Sequence, residues 1–277
     1  MSVHLKDKSI IITGAAGGFG RLVALKSAAL GAKVTCADIN ADELDGVVSE
    51  LLEQGFDAQG VTTDVSDAAQ MSRMAQAAID RFDTIDVIVN NAGTMPLAFF
   101  SDHKIALEKW HQCIDINLKG VINGIVAVYD QMMKQGRGHV INISSIYGNA
   151  PVAGSGVYSA TKAAVNYISE TLRVEAAGKI KVTTIRPTGV STNLFGTIIN
   201  PSASIGILGH NGPAEFEKMS TLGEGYLDSL NSDKSDIGHR VLDPQQIADN
   251  IVYAINQPWG VSIGDITIRC SGDISIL

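Results

Sequence analysis

The sequence predicts an α/β protein built on one doubly wound parallel sheet of seven strands with helices on both faces. Three observations carry this reading. Short β-rich runs alternate with longer helical stretches, the order of βαβ units joined by right-handed crossovers. Several short runs are apolar at successive positions (Ile10-Ile11-Ile12, Val87-Ile88-Val89), as in parallel strands covered on both faces. A glycine-rich stretch, Thr13-Gly14-Ala15-Ala16-Gly17-Gly18-Phe19-Gly20, stands between the first strand and the first helix.

The strand runs are Ser9–Thr13, Lys33–Asp38, Ala58–Thr62, Ile85–Asn90, His139–Ser144, Lys181–Ile185 and Ile263–Arg269. The helical runs are Phe19–Leu30, Asp42–Gln54, Ala68–Arg81, Ile105–Gln135, Val157–Ala177 and Pro244–Asn256. Gly31 and Gly178 close two helices, where a left-handed residue is favoured. Asp67 and Asp243 are expected N-caps, their carboxylates accepting from orphan N–H groups of the first turn. From Ser191 to Arg240 the rhythm breaks, with seven glycines, two prolines and no long periodic run. That stretch is too long for an ordinary connection and reads as a lid insertion at about 191–240 within one domain, 1–277.

Composition bounds the function. The 277 residues are 45% hydrophobic, ample for one sizeable core. The net charge of −8 is spread without a basic block, which argues against a nucleic-acid partner. No apolar run approaches the ~18–20 residues of a membrane span. Met1 to Lys8 lacks the apolar core of a secretory signal. Cys36, Cys113 and Cys270 are far apart and odd in number, so reduced thiols in a cytoplasmic protein are expected, with no disulfide framework and no zinc site.

The glycine loop carries the first chemical signal. Gly14, Gly18 and Gly20 form Gly-x3-Gly-x-Gly after a strand and before a helix, with Phe19 inside the motif. Such a loop lets the backbone approach a pyrophosphate, which then sits at the positive helix N-terminus. Asp38 ends the second strand, where an acid can accept both ribose hydroxyls of an adenosine and repel a 2′-phosphate. Ile39 follows, Ala15-Ala16 occupy the loop, and Arg21 should point along the helix, so NAD(H) is preferred over NADP(H). Asp64 and Val65, after the third strand, are placed to contact adenine.

The second signal is Tyr158 with Lys162 four residues on, thirteen residues after Ser145. On a helix that spacing puts phenol and ammonium on one face. A free phenol titrates near ~10, and a neighbouring positive charge is expected to bring it down toward useful acid/base chemistry. Among the six tyrosines only Tyr158 has lysine at +4; Tyr147 has Pro151 there and reads as a pocket wall. His103, His111, His139, His210 and His239 show no ligand spacing and read as surface or loop residues.

These motifs in order resemble the short-chain dehydrogenase/reductase family over nearly the whole chain. Thr13-Gly14-x3-Gly18-x-Gly20 matches its glycine loop, and Asn90-Asn91-Ala92-Gly93 matches the end of its fourth strand. Asn117 in Asp115-Ile116-Asn117, Ser145, Tyr158 and Lys162 match its catalytic set. Arg186-Pro187-Thr188-Gly189-Val190-Ser191-Thr192 matches the region after the sixth strand, with Thr188 in place of the usual glycine. The resemblance implies a Rossmann fold and hydride exchange between a nicotinamide and a secondary alcohol or ketone. It implies that Tyr158 moves the hydroxyl proton, Ser145 hydrogen-bonds the reacting oxygen, Lys162 lowers the tyrosine pKa and binds the nicotinamide ribose, and Asn117 holds a water. It also implies that Asn90, Asn91, Ala92 and Gly93 lie along the cofactor, with Pro187, Val190 and Thr192 near its carboxamide or phosphates.

Around the expected substrate, Asn193 to Ile199 and then Ile205, Ile207 and Leu208 are rich in apolar residues, which points to a hydrophobic or cyclic small molecule. Thr192–Gly212 holds no Arg or Lys, which argues against a substrate carboxylate or phosphate. Met95, Pro96, Phe99 and Phe100 are an expected opposing wall. The family pairs its long helices between subunits, so a homodimer or homotetramer is expected. A non-catalytic NAD(H) sensor of the same fold is the alternative. A sugar-nucleotide epimerase or dehydratase fits less well, because its loop is spaced Gly-x2-Gly-x2-Gly.

Overall fold

In the computed structural model, residues 4–222 and 234–277 are described; Met1 to Val3 and positions 223–233 of the expected 191–240 insertion lie outside them. The strands are β1 (Ser9–Thr13), β2 (Lys33–Asp38), β3 (Ala58–Thr62), β4 (Val87–Asn90), β5 (Gly138–Ile143), β6 (Ile180–Pro187) and β7 (Asp265–Ile268). They form one sheet in the order β3-β2-β1-β4-β5-β6-β7, parallel throughout. The first three strands end where the sequence places them. The later ones differ by one or two residues at an end, as strand boundaries do.

Successive side chains of a strand face opposite ways, and the apolar runs use both sides. Ile10 and Ile12, Val87 and Val89, and Ile141 and Ile143 enter one core, closed by α1 (Gly18–Ala29), α2 (Ala41–Glu53) and the late helix Pro244–Ile255. Ile11, Ile88 and Val140 enter the other, closed by α3 (Ala68–Phe82) and the C-terminal halves of two long helices. Each fully buried Ile or Val in these layers contributes about 1.5–3 kcal/mol relative to exposure. His139 in β5 is buried, with Nε2 2.8 Å from Thr183 Oγ1, and burial holds its pKa well below the ordinary value. His239 is buried too. The surface-or-loop reading is therefore wrong for His139, because a polar residue inside a strand of a sheet covered on both sides has no solvent to face; His239 does lie in a loop, but a buried one.

The helix ends follow the sequence signals. Asp67 accepts from Ala69 N and Gln70 N, and Asp243 forms a reciprocal box with Gln246. Gly31 and Gly178 sit at φ +86° and +80°, just past their helices. One expectation is corrected. The single helix Ile105–Gln135 is α4 (His103–Ile114), a π-helical turn over Asp115–Lys119, and α5 (Gly120–Gln135). Gly120 N bonds to Asp115 O, the wide i to i+5 closure. A Cβ at Gly120 would stand 2.8 Å from Val65 Cγ2, so glycine lets α5 close on the loop after β3.

The following helix is α6 (Gly156–Glu175). After β6 come two 3₁₀ segments, Asn193–Thr197 and Pro201–Asn211, then α7 (Gly212–Leu222), and finally α8 (Pro244–Ile255) before β7. The carboxyl ends of β1, β4, β5 and β6 therefore gather at one edge. Strand order reverses between β1 and β4, which opens a crevice there.

Candidate active site

The glycine loop is tight on one side and open on the other. Gly14 (φ +65°) would put a Cβ 2.9 Å from Ala92 Cα, and at Gly20 a Cβ would meet the Gly14 carbonyl oxygen at 2.1 Å. Glycine is required at both by close backbone approach. At Gly17 and Gly189, by contrast, a Cβ would meet nothing within 4 Å, and Gly18 has only Thr192 Cγ2 at 4.0 Å. Bare backbone thus faces a free space at the N-terminus of α1.

Polar side chains lace this loop to the sheet. Thr13 Oγ1 accepts from Asn91 N (3.0 Å) and Ala92 N (3.2 Å), and Asn91 Nδ2 donates to Thr13 O (2.9 Å) and Gly14 O (3.1 Å). The Asp38 carboxylate accepts from Ala16 N and Asn40 N, both at 3.0 Å. Arg21, expected to point along its own helix, instead pairs across to Glu50 of α2 at 2.6 Å. Ile39 is exposed beside Asp38. Asp64 Oδ1 accepts from Ser66 N and Ser66 Oγ, and Val65 O accepts from Asn123 Nδ2 at 2.8 Å. Asn90 departs from its expected place. Its side chain is buried, with Nδ2 on Asn142 Oδ1 at 2.8 Å, and faces α5 and β5, since a Cβ at Gly124 would lie 2.0 Å from its Oδ1.

Ser145, Tyr158 and Lys162 come together past the ends of β5 and β6. Ser145 caps a short 3₁₀ turn, its Oγ accepting from Tyr147 N at 3.3 Å. Tyr158 and Lys162, on the first turns of α6, are both buried, and the Lys162 Nζ donates to Ile143 O at 2.8 Å. Tyr147 packs edge-on against Tyr158 with ring centroids 5.6 Å apart, a wall as expected. Asn117, in the π turn, accepts from Thr94 N (2.9 Å) and donates to Thr94 O (2.8 Å), with Cys113 Sγ at 3.3 Å and Thr161 Oγ1 at 3.4 Å.

The electrostatics differ from the expectation. Burial pushes the Tyr158 phenol above its ordinary range; the Ser145 hydroxyl pulls the other way, and Lys162 makes no resolved contribution. Burial also brings Lys162 down to about 8. The physical reason is shared desolvation: a dry pocket disfavours phenolate and ammonium alike. Here the Lys162 Nζ lies 5.8 Å from the Tyr158 ring centre and is held by a carbonyl.

A cavity of about 810 Å³ joins the two constellations, reaching from Gly14, Gly18 and Phe19 past Asn91 and Gly93 to Ser145, Tyr158 and Lys162, with Pro187, Val190 and Thr192 in its wall. Val190 is pinned there because Gly189 O and Ser191 N both bond to Leu242. Gly20, Asp38, Ile39, Asp64, Val65 and Ala92 are not among the lining residues. Leu194, Phe195, Ile198, Ile205 and Leu208 line the far side. Of the expected opposing wall only Met95 lines the cavity, joined by Leu97. Phe99 and Phe100 line a separate pocket of about 210 Å³ beside Trp110, whose Nε1 donates to Pro96 O.

A family model described as short chain dehydrogenase matches residues 8–202. The chain belongs to the short-chain dehydrogenase family. An uncharacterized oxidoreductase of Listeria monocytogenes is 34% identical, over 95% of this chain and 96% of that protein. The fold is shared by a 7α-hydroxysteroid dehydrogenase solved with NADH and 7-oxo glycochenodeoxycholic acid (TM-score 0.78, 24% identity, 99% and 97% of the two chains). It is shared also by an alcohol dehydrogenase of Thermococcus sibiricus solved with 5-hydroxy-NADP (TM-score 0.77, 22% identity, 96% and 97%).

The short-chain dehydrogenase match stops inside the second 3₁₀ segment, and the functional-site residues that sequence reasoning missed lie mostly beyond it. Glu215 of α7 and Arg240 line the same cavity and are paired at 2.7 Å. So do Asp273, Ile274 and Ser275 after β7. This tail is fastened to the 3₁₀ segment by Ile276 N to Ile207 O (2.9 Å) and Asn211 Nδ2 to Ile274 O (3.1 Å). Cys113, behind Asn117, was also missed; its spacing of four residues from Asn117 was the available signal.

Proposed function

We propose that this short-chain dehydrogenase is an NAD(H)-dependent oxidoreductase that interconverts a secondary alcohol and a ketone on a hydrophobic or cyclic small molecule. The observation that carries the reading is one cavity holding bare glycine backbone at a helix N-terminus and, farther along, a buried phenol, a hydroxyl and an ammonium beside apolar walls. The residues fit a dinucleotide: the loop offers open backbone where a pyrophosphate needs it. In this reading Gly14, Gly18, Phe19, Gly20, Asp38, Ile39, Asp64, Val65, Asn91, Ala92, Gly93, Pro187, Val190 and Thr192 hold the cofactor, with Tyr158 and Lys162 at its nicotinamide end. When bound, the nicotinamide supplies or accepts the hydride at carbon.

The chain's own groups handle the oxygen. Ser145 Oγ already accepts from Tyr147 N, so its proton is directed to the reacting oxygen. Burial favours the neutral Tyr158 phenol, which donates its proton to a ketone oxygen and is left as phenolate. In the reverse direction it is the phenolate that takes the alcohol's proton and returns to the phenol. Lys162 supplies positive charge beneath them, and Asn117, fixed by Thr94, backs Lys162. NAD(H) is preferred because the Asp38 carboxylate ends β2 while Arg21, the cation nearest the loop in sequence, is engaged by Glu50. The described residues of the expected insertion, 191–222 and 234–240, act as a lid within one domain.

The test is NADH-band absorbance with NAD or NADP and a panel of aliphatic, cyclic and aromatic secondary alcohols, with Tyr158→Phe in parallel. Turnover with NAD is expected, falling by roughly 10²–10⁴-fold in the variant while NADH still binds. NADH binding with no turnover of any alcohol or matching ketone would favour the sensor reading. Exposed apolar side chains on α4, α5 and α6 (Ile105, Leu107, Val126, Tyr167, Val174) support a homodimer or homotetramer. A monomer mass in light scattering would refute it.

A further inference from the structure

We propose that Arg240 selects substrates bearing a carboxylate at the end remote from the reacting oxygen, an inference that rests on the oxidoreductase reading. The segment Asn193 to Leu208 supplies no cation to the cavity, but the fold brings one from elsewhere: Arg240 lines the same space as Ser145 and Tyr158, with its side chain only 23% exposed. A guanidinium carries five N–H donors. Among the described residues Glu215 is its side-chain hydrogen-bond partner, through Nη1 and Oε1 at 2.7 Å.

Glu215 does not face Arg240 alone. Its Oε2 lies 3.8 Å from Lys218 Nζ. Asp273, the other carboxylate in this part of the wall, is matched by Arg269 at 2.9 Å and accepts from Ser275 Oγ at 2.9 Å. Arg240 and Lys218 thus share Glu215, while Asp273 is engaged by Arg269, which also donates to Leu277 O and so stays on the tail side of the wall. Glu215, itself buried, holds the guanidinium in place, and a fixed planar fork binds a carboxylate at lower entropic cost than a mobile lysine. The same cavity is lined by the apolar side chains of Leu194, Ile198, Ile205 and Leu208. The matching substrate class is an apolar hydroxy acid or oxo acid: oxygen at Ser145 and Tyr158, hydrocarbon between, carboxylate at Arg240.

The experiment compares NADH-driven reduction of medium-chain oxo acids, ketone next to the terminal methyl, with that of their methyl esters. Wild type should prefer the acids. Arg240→Met should lower kcat/KM on the acids by roughly 10–100-fold, the loss of one hydrogen bond to a charged group, and leave the esters nearly unchanged. Arg240→Lys should recover part of the loss. Equal losses on acid and ester, or no acid preference in wild type, would overturn the proposal and leave the oxidoreductase reading standing. If Arg240→Met does not fold, Glu215→Gln decides: the acid preference should rise when the competing carboxylate is neutralised, and an unchanged ratio counts against the proposal. If no ketone is reduced at all, the oxidoreductase reading fails separately. Decanoate raising the melting temperature of wild type with NADH, where methyl decanoate does not, would still support the anion site; no shift with decanoate would overturn it.

Discussion

On the glycine-loop side of the cleft, Thr13, Asp38 and Asn91 all direct their side chains to backbone groups, and Gly14 and Gly20 sit where no Cβ fits. On the opposite side the cavity is walled by apolar side chains from Leu194 to Leu208, one ion pair and a tail that comes from the far end of the chain. The first wall needs particular residue types at fixed spacing because backbone meets backbone there. The second needs only apolar bulk and a few polar groups, which many sequences supply. Chemistry common to a family belongs on the first kind of wall and substrate choice on the second.

The strongest way to break this contrast is Gly20→Ala. The added Cβ would lie 2.1 Å from the Gly14 carbonyl oxygen, a backbone atom that cannot swing away. Overpacking of this kind costs about 1–3 kcal/mol or more, and the loop must shift to relieve it. NADH affinity, read by fluorescence titration, should fall roughly tenfold or more for each 1.4 kcal/mol that the displaced loop withholds from the cofactor, and the melting temperature should drop. Normal affinity and stability would show that the loop is slack, and the contrast would fail.

Phe195→Ala sharpens the contrast from the other side. The ring is 45% exposed and lines the cavity, so its removal deletes part of an apolar wall without touching the glycine loop. KM for an apolar ketone should rise by roughly 3- to 10-fold, the equivalent of about 1 kcal/mol of lost burial. NADH affinity should stay unchanged. Loss of NADH affinity in this variant would mean that the two walls are one mechanical unit.

The same division decides what the sequence made legible. β1 and β2 are readable to their last residue, because their apolar runs are closed by Gly14 and by Asp38; β3 matches as well although it is half polar. Ser145, Tyr158 and Lys162 are readable as a set because helical spacing and strand ends place them together. The π turn at Asp115–Lys119 is not, since one extra residue per turn hardly disturbs a hydrophobic pattern over 31 positions. Asn90 reads like its neighbour Asn91, yet strand alternation turns it away from the cleft. Arg240 and Asp273 are invisible for another reason: they lie far along the chain from Tyr158, and only tertiary folding brings them to its cavity.

Lys162 stands at the seam of the two walls, and its titration gives the smallest and most specific prediction. Burial depresses its pKa to about 8 in the folded protein, below the ordinary lysine range of the unfolded chain. Below pH 8 both states hold the proton, and the folded protein carries the full cost of a buried ammonium. Between about 8 and the ordinary lysine range the unfolded chain holds more protons than the folded one, so stability gains from this group as pH rises. Lys181, also brought down to about 8, and Lys8, shifted the same way, add to that slope. Lys162→Met should therefore flatten, without abolishing, the rise of unfolding free energy with pH in cofactor-free protein, by at most about 1.4 kcal/mol per pH unit. The measurement is denaturant unfolding of wild type and variant across this window, compared as slopes, because the variant also strands the Ile143 carbonyl at every pH. Parallel slopes would mean that the ammonium reaches water in solution, and that the seam is open where the structure has it dry.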